Sequence, residues 1–389
     1  MGFFVLEDGE GVSTSPLIWF SPQGSDESLA HAMAQVIERG AKSLMILSCS
    51  GNNHSREQLQ HPLRTCPVPL CGGIFPSIFF DETKFDVGFI VIGFPFVVSI
   101  ACYQINDQQQ VDVDSPIRLD GDLVRHSRDL MVFVDAMADG AESFINALYE
   151  TIGGGINVIG GGAGAIDFQP IPCVFSRQGL LEGVGQVVQL PIPMRSSVEH
   201  GWKVMSGPYL VTEANGRRIE TLNYQPAYEI YKSVIEEACS QKIDVATFFN
   251  TSKNFPLGIV GVSGEILVRD PIQLCENALL CVGSVPVNTM VYILSGDRDC
   301  IINAAQSAGE QLKQELLEST DNPLQFALVF DCVSRALYLD DQFAGEMQAI
   351  KKGLGKGVRI IGVLSIGEIA NTRRGTISLL NKSIVIGSL

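Results

Sequence analysis

The sequence lacks the signatures of several large classes of protein. Its 389 residues include only 27 lysines and arginines against 43 acidic residues, a formal net charge of −16. A chain this acidic has no general electrostatic attraction for nucleic acid or an anionic membrane surface. No apolar run is long enough to span a bilayer, and the N-terminus, MGFFVLEDGEG, does not resemble a signal peptide. We therefore expect a cytoplasmic protein that binds neither nucleic acid nor membrane.

Cysteine is present, but not in a pattern that indicates a metal site. The ten cysteines include no CxxC pair. The near-neighbour pairs, Cys66 with Cys71 and Cys275 with Cys281, do not have a common ligand spacing for zinc or an iron–sulfur cluster, although they leave such a site open. Most of the cysteines stand among apolar residues. We therefore predict free thiols in a reducing compartment.

Motifs for nucleotide binding and for hydrolysis are also missing. The glycine-rich stretch of residues 153–164, GGGINVIGGGAG, is interrupted by a strand, so it is no GxGxxG fingerprint, and no GK[ST] follows it. There is no GxSxG, and no serine is recognisably paired with a histidine. No pair of carboxylates stands out as general acid and base. We therefore expect a binding protein and not an enzyme.

The sequence does contain a repeated strand–helix–strand–glycine unit. The first unit, the loosest, spans residues 43–75, the second spans 130–165 and the third spans 326–370. In α/β proteins a strand that ends in a polar turn beside a glycine loop is where small molecules bind. The predicted fold class is α/β with mixed α+β character: two related halves, with mixed β-sheets flanked by helices.

Helix starts can be assigned at two places. Ser25 precedes a run with helical spacing of apolar residues and is predicted to be the N-cap of the first helix. In the second unit, Asp139 is the predicted N-cap, because Glu142 follows three residues later as in a capping box.

His200 is the histidine with the best case for a binding role. It begins a β-like segment beside Gly201 and Trp202, and histidine is a common ligand of iron and a hydrogen-bond partner of small molecules. A histidine bonded within the sheet is an equally good interpretation. Three others lie in polar loops and are predicted to be solvated at the surface: His54, His61 and His126.

Two arginines, a glutamate and the glycines supply further candidates for the site. Arg269 and Arg335 each stand alone among apolar residues, where each could hold a carboxylate with two hydrogen bonds or form a structural ion pair with a neighbouring aspartate. Glu368 lies at the third glycine loop and could face the same pocket. Gly161 and Gly162 would let a ligand approach the backbone closely.

Several strings in the second half of the chain together resemble the FIST domain. They are HGWKVMSGPYLVTEANGRRIETLNYQPAYEIY, FPLGIV with GEILVRD, the CVSR turn, and GVLSIGEIA with ISLLNK. The resemblance extends from about residue 25 to the end, and it implies an N-terminal FIST-like domain at residues 25–221 and a C-terminal one at 222–389. FIST proteins are regarded as small-molecule sensory modules in bacterial signal transduction, and the domain occurs in a eukaryotic F-box protein.

A chain occupied by FIST domains alone is similar to the NosP-type haem proteins, which sense nitric oxide and modulate a partner histidine kinase. This similarity implies a haem cofactor, His200 as its axial ligand, and a sensor histidine kinase as partner. The alternative is a metal-free sensor of amino acids or other small polar metabolites that uses Arg269 or Arg335 with the glycine loops. The sequence leaves the oligomeric state open.

Overall fold

The computed structural model describes residues 3–6, 15–105, 129–239, 242–243, 245–260, 264–319, 324, 326–372 and 375–389. His126 lies outside these ranges. Four β-sheets with helices on their faces make up the described chain, so the predicted mixed α+β class is confirmed.

The first fourteen strands precede residue 200. They are β1 (Phe3–Leu6), β2 (Leu17–Ser21), β3 (Ser43–Cys49), β4 (Leu70–Phe75), β5 (Ser77–Phe80), β6 (Thr83–Phe85), β7 (Phe89–Phe94), β8 (Ser99–Gln104), β9 (Asp129–Asp135), β10 (Asn157–Ala163), β11 (Val174–Ser176), β12 (Gly179–Leu181), β13 (Val184–Leu190) and β14 (Ser196–Glu199).

The later strands are β15 (Lys203–Asn215), β16 (Arg218–Leu222), β17 (Gln225–Pro226), β18 (Leu257–Val260), β19 (Ile266–Cys275), β20 (Ala278–Val282), β21 (Met290–Ser295), β22 (Phe326–Cys332), β23 (Arg359–Ser365), β24 (Glu368–Asn371), β25 (Ile377–Leu380) and β26 (Ile384–Ser388). The helices are α1 (Asp26–Glu38), α2 (Arg56–Arg64), α3 (Ala141–Ile152), α4 (Ala227–Cys239), α5 (Phe248–Ser252), α6 (Arg298–Ser319), α7 (Val333–Leu339) and α8 (Phe343–Leu354).

In three of the sheets the strands occupy equivalent positions in an equivalent order. The orders are β2-β7-β3-β4-β11-β12, β8-β13-β9-β10-β24-β25 and β14-β26-β22-β23-β5-β6, with β1 added at the edge of the first. At the centre of each sheet lies one parallel pair, and each pair comes from one repeated unit: β3 with β4, β9 with β10, and β22 with β23. Each unit therefore builds a sheet of its own.

The three sheets are interlocked by a cyclic exchange of strands. The strand β5, which follows β4, pairs with β23 of the third unit, and β24, which follows β23, pairs with β10 of the second. The ring is closed by β11, which comes after β10 and pairs with β4. Two of these exchanges join residues 25–221 to residues 222–389, so the two predicted domains share sheets.

A glycine occupies the same register position in the second parallel strand of every unit. These glycines and their partners are Gly72 opposite Ile46, Gly160 opposite Val132, and Gly362 opposite Val329. A Cβ atom at these three positions would lie 2.0, 1.8 and 2.2 Å from the carbonyl oxygen of the partner. No side chain fits at such distances, so the glycines of the repeated pattern allow strands to approach closely.

The three units also meet in one aromatic core. Phe75, Phe133 and Phe330 each come from a different unit, and all three are fully buried. The ring centroid of Phe133 lies 6.3 Å from that of Phe75 and 6.1 Å from that of Phe330. Burial of one such ring stabilises the fold by roughly 1.5–3 kcal/mol, and these rings couple the three sheets.

The fourth sheet is formed by strands that lie between the second and third units in the sequence, and it closes on itself. Its order is β15-β21-β18-β19-β20-β16-β17, and the long strand β15 also pairs with β16. Helix α4 packs against it and contributes the fully buried Tyr231, whose hydroxyl donates to the carbonyl oxygen of Phe255 at 2.6 Å. A predicted division between residues 221 and 222 falls inside β16.

One of the two predicted helix caps is present. The Ser25 hydroxyl accepts a hydrogen bond from the backbone N–H of Ser28 at 3.2 Å, as predicted. The prediction for Asp139 is wrong, because helix α3 begins at Ala141 after Gly140, without a side-chain cap. The carboxylate of Glu142 instead forms an ion pair with Arg269 at 2.8 Å, so a distant partner replaces the local cap.

We predict that Gly160→Ala destabilises the protein by about 2 kcal/mol or more, since the new Cβ must displace the backbone of the neighbouring strand. Urea unfolding of both proteins measures the change. Gly155→Ala is the matched control, because a Cβ at Gly155 meets nothing within 4 Å. Equal midpoints for the two variants would contradict the close-approach interpretation.

Candidate functional site

The carboxyl ends of the parallel strand pairs carry the polar side chains from which a site can be built. At this end of the third unit, Arg335 of α7 forms the centre of a buried charged cluster. Its Nε lies 3.2 Å from an oxygen of Asp331, and its Nη2 forms an ion pair with Glu346. The Arg335 guanidinium also donates to the backbone carbonyl oxygens of His200, at 2.6 Å, and Lys382, at 3.2 Å. Arg335 is therefore fully occupied by the protein itself.

A second buried ion pair lies beside it. The Nζ of Lys382 is 3.2 Å from the carboxylate of Asp270 and 5.2 Å from the ring centroid of Trp202, a cation–π distance. Trp202 is 2% exposed and packs edge-on against Tyr338, with 5.2 Å between centroids. Trp202 thus serves as packing for a buried ammonium group.

Glu368 completes the charged cluster from β24. Its Oε1 lies 2.8 Å from the Ser365 hydroxyl, its Oε2 accepts from the backbone N–H of Ser383, and its backbone pairs with Gly161. Burial raises the pKa of Glu368 to about 8. The carboxyl group is therefore protonated at neutral pH.

Charge balance explains this protonation. The cluster holds two cations and four carboxyl groups, all fully or almost fully buried: Arg335 and Lys382 against Asp270, Asp331, Glu346 and Glu368. Burial, followed by the nearby charge of Glu346, also raises the pKa of Asp331. The cluster thus holds more carboxyl groups than cations, and burial favours the neutral form of a carboxyl group whose charge is not balanced.

The contacts of His200 do not fit an axial haem ligand. Its Nδ1 accepts a hydrogen bond from the backbone N–H of Trp202 at 3.0 Å, which places the proton of the neutral ring on Nε2. Metal-bound histidines in proteins usually use one nitrogen for the metal and donate a hydrogen bond from the other. Here Nδ1 accepts, and therefore the tautomer is the reverse of the one that coordination through Nε2 requires.

Arg269 lies apart from the cluster and has a structural role. Besides its ion pair with Glu142, it donates to the carbonyl oxygens of Ser284 at 2.9 Å and Leu379 at 3.1 Å. The bonds to Glu142 and Leu379 join the closed sheet to helix α3 and to strand β25 of the second unit's sheet. Gly162, the remaining candidate, donates its backbone N–H to the carbonyl oxygen of Gly367 at 2.8 Å. Both residues are thus engaged in contacts between units.

An open cavity lies instead at the carboxyl end of the first unit. Its volume is about 450 Å³. The polar side is lined by Asn53, His54, Arg56 and Asp167, and the apolar side by Ile74, Ile171 and Leu180. The second unit's strand β10, which carries Gly161 and Gly162, leads directly into this lining at Ala165.

The wall of the cavity is fixed by a buried chain of hydrogen bonds through His54. The prediction that His54 is solvated is wrong, since its side chain has no exposed surface. Its Nε2 lies 2.7 Å from the Ser48 hydroxyl, and its Nδ1 is paired with the carboxylate of Asp26. Burial lowers the pKa of His54, which favours the neutral ring.

The hydrogen bonds from Ser48 through His54 to Asp26 have the connectivity of a catalytic Ser–His–Asp triad. The prediction that no serine is recognisably paired with a histidine is therefore also wrong. The Ser48 hydroxyl, however, is fully buried and accepts a further hydrogen bond from Asn52 at 2.8 Å. Asn52 in turn binds both backbone polar groups of Gly88, at 2.7 and 2.8 Å. The geometry therefore holds the loop in place and does not present a nucleophile.

Arg56 differs from the arginines that the sequence singled out. It is exposed at the start of α2, and its guanidinium forms no hydrogen bond or ion pair with any residue that the structure describes. It also lines a neighbouring cavity of about 710 Å³ together with Gln104 and Glu182. Sequence reasoning missed Arg56, because it stands among polar residues like any surface arginine.

Two kinds of feature were not found among the residues that the structure describes. Within the described ranges, no group of three or more histidine, cysteine, aspartate and glutamate side chains is placed to hold a metal ion. No helix in the described part of the chain is long and apolar enough to cross a membrane.

Comparison with known families gives two matches. The FIST N domain matches residues 43–225, and the FIST C domain matches residues 227–371. The two together cover most of the chain, and the point between them lies where β17 meets α4. No curated protein matches this chain.

We predict that Glu368→Gln flattens the pH dependence of stability. The raised pKa means that the unfolded chain ionises this group from about pH 4.5, whereas the folded protein retains the proton up to about pH 8. The stabilisation from the neutral carboxyl group is complete below that window and is lost as the pH rises through it. Glutamine mimics the neutral form, so the variant should not show this loss.

Urea unfolding at several pH values between 5 and 9 measures the effect, which we expect to amount to a few kcal/mol at about 1.4 kcal/mol per pKa unit. Glu213→Gln is the control, because Glu213 is exposed. A decline in stability as steep in Glu368→Gln as in the unchanged protein would contradict the protonated state.

Proposed function

Because the chain belongs to the FIST family, whose domains are associated with small-ligand sensing in signal transduction, we propose that it is a metal-free sensor whose ligand binds beside Arg56. One observation carries the proposal: Arg56 lines an open cavity, and its guanidinium has no hydrogen-bond or ion-pair partner among the described residues. Small-molecule sites are typically concave, with an apolar wall and a few polar groups that fix orientation.

The lining favours a small zwitterion such as an amino acid. The Arg56 guanidinium suits a carboxylate, and Asp167 on the same cavity suits an ammonium group. The apolar wall, formed by Ile74, Ile171 and Leu180, suits a side chain. On the polar side, the lowered pKa of His54 favours its uncharged form. This arrangement supports the metal-free alternative with Arg56 as the anchor, in place of Arg269 or Arg335.

Signalling would pass from the occupied cavity to a separate protein, for which a sensor histidine kinase is our candidate. A ligand shifts a conformational equilibrium only as far as its affinities for the two states differ. The haem and nitric oxide alternative has less support, because the tautomer of His200 opposes coordination and neither described cavity is lined by that residue.

A thermal-shift screen with the twenty amino acids tests the proposal. A ligand at about 100 times its Kd should stabilise the protein by about 2.7 kcal/mol, a rise of a few degrees in Tm. We expect Arg56→Ala to abolish the shift and Arg64→Ala to keep it, since both arginines lie on α2 but Arg64 is not part of either cavity.

The same preparation distinguishes the haem alternative. Addition of hemin should produce no Soret band that depends on His200. A Soret band that shifts with nitric oxide and is lost in His200→Ala would overturn the metal-free proposal. An amino-acid shift that survives Arg56→Ala would place the ligand elsewhere.

A further inference from the structure

Two neighbouring cavities meet at Arg56. The first, of about 450 Å³, is the proposed binding site, and the second has a volume of about 710 Å³. Sites for drug-sized ligands have volumes of roughly 300–1,000 Å³. The two cavities together therefore have room for a ligand larger than one amino acid.

The edge of the first sheet explains why Arg56 lines both cavities. Gln60 lies one turn after Arg56 on α2, and its Nε2 donates to the carbonyl oxygen of Gln178, just before β12, at 3.2 Å. Residues four apart lie on the same face of a helix, so Arg56 also lies beside β12, the last strand of this sheet. Successive residues of β12 line different cavities, Leu180 the first and Leu181 the second. Arg56 thus stands at the boundary between the two.

A carboxylate lies on each side of Arg56. Asp167 lines the first cavity and Glu182 lines the second, and both residues are exposed. Glu182 forms no hydrogen bond or ion pair with any residue that the structure describes. Among the described residues, Arg56 is the only lysine or arginine in either lining. The two cavities therefore present one cation between two anions.

The backbone around Glu182 is fixed by three hydrogen bonds to the next residue, Gly183. The N–H of Gly183 donates to the buried carboxylate of Asp135 at 2.7 Å. Its carbonyl oxygen accepts from the backbone N–H of Ile105 at 2.7 Å and from the side chain of Gln104 at 2.9 Å. A carboxylate on a backbone that is held in this way is well placed for specific binding.

The second cavity also has an apolar wall of its own. The wall is formed by Ile105, Leu181 and Val184, of which Ile105 and Val184 are buried. Long basic side chains place their methylene groups along apolar surface and their charged end on a polar partner. The apolar wall and the carboxylate of Glu182 therefore suit an aliphatic chain that ends in a cation.

We propose that the second cavity is a subsite for a basic side chain, and that the ligand is a dipeptide whose second residue is lysine or arginine. This rests on the proposed function, because the carboxylate of the peptide binds to Arg56. The ammonium group of the peptide faces Asp167, and the first side chain contacts the apolar wall of the first cavity. The basic side chain extends through the second cavity to Glu182.

A dipeptide matches this arrangement better than a free amino acid does. It has two side chains for the two apolar walls, whereas a free amino acid would leave one wall empty. With a basic second residue it also carries two positive groups and one negative group. These charges complement those of Asp167, Glu182 and Arg56, so each charged group of the ligand meets a group of opposite charge.

Isothermal titration calorimetry on the full chain tests the subsite with two peptides, leucyl-lysine and leucyl-norleucine, which differ in the side-chain ammonium group. We expect leucyl-lysine to bind about fivefold more tightly, as an ion pair at an open site would allow. Glu182→Gln should bring the two peptides to equal affinity. Glu57→Gln is the matched control and should preserve the difference, because Glu57 is an exposed neighbour of Arg56 that lines neither cavity.

Equal affinities for the two peptides in the unchanged protein, or a preference for lysine that survives Glu182→Gln, would overturn the subsite. Absence of peptide binding in a protein that a free amino acid stabilises through Arg56 would also overturn it, and would leave the proposed function intact. Failure of the proposed function gives a different result, since Arg56→Ala would then leave peptide binding unchanged. Circular dichroism confirms that each variant is folded.

Discussion

The close approach of two parallel strands at one glycine in each unit is the constraint on which the rest of the structure depends. Gly72, Gly160 and Gly362 bring their backbones against the carbonyl oxygen of the neighbouring strand. Each glycine lies shortly before the point where the chain leaves its own sheet for the next one. The cyclic exchange of strands and the shared aromatic core then join the two family domains through common sheets.

The equivalent ends of the first and third sheets differ in what occupies the space beside them. At the third, Arg335 and Lys382 are enclosed with four buried carboxyl groups, so the space is filled by the protein's own side chains. At the first, hydrogen bonds that join Asp26, His54 and Ser48 fix the loop after β3 in place, and an open cavity lies beside this loop. One end is therefore filled by a buried charged cluster, and another contains the cavity at which we propose that a ligand binds.

Much of this arrangement could be predicted from local patterns. The repeated units, the mixed sheets and the Ser25 cap follow from apolar periodicity and turn residues. His200, Trp202, Arg335 and Glu368 do lie together, because single polar residues in apolar runs are buried and must find partners. Their role as a filled cluster could not be predicted, since ion pairs such as Arg335 with Glu346 depend on packing.

The hydrogen bonds of His54 could not be predicted from the sequence, because His54 lies in a loop and its partner Asp26 lies 28 residues earlier, at the start of α1. The most direct test of the account is native-state hydrogen exchange on the whole chain. If the strand exchange unites the two family domains, the slowest amides of β10 and β23 will exchange with one common free energy of opening and one denaturant dependence. Separate opening of either strand, at a clearly lower free energy than the other, would contradict the interlocked fold.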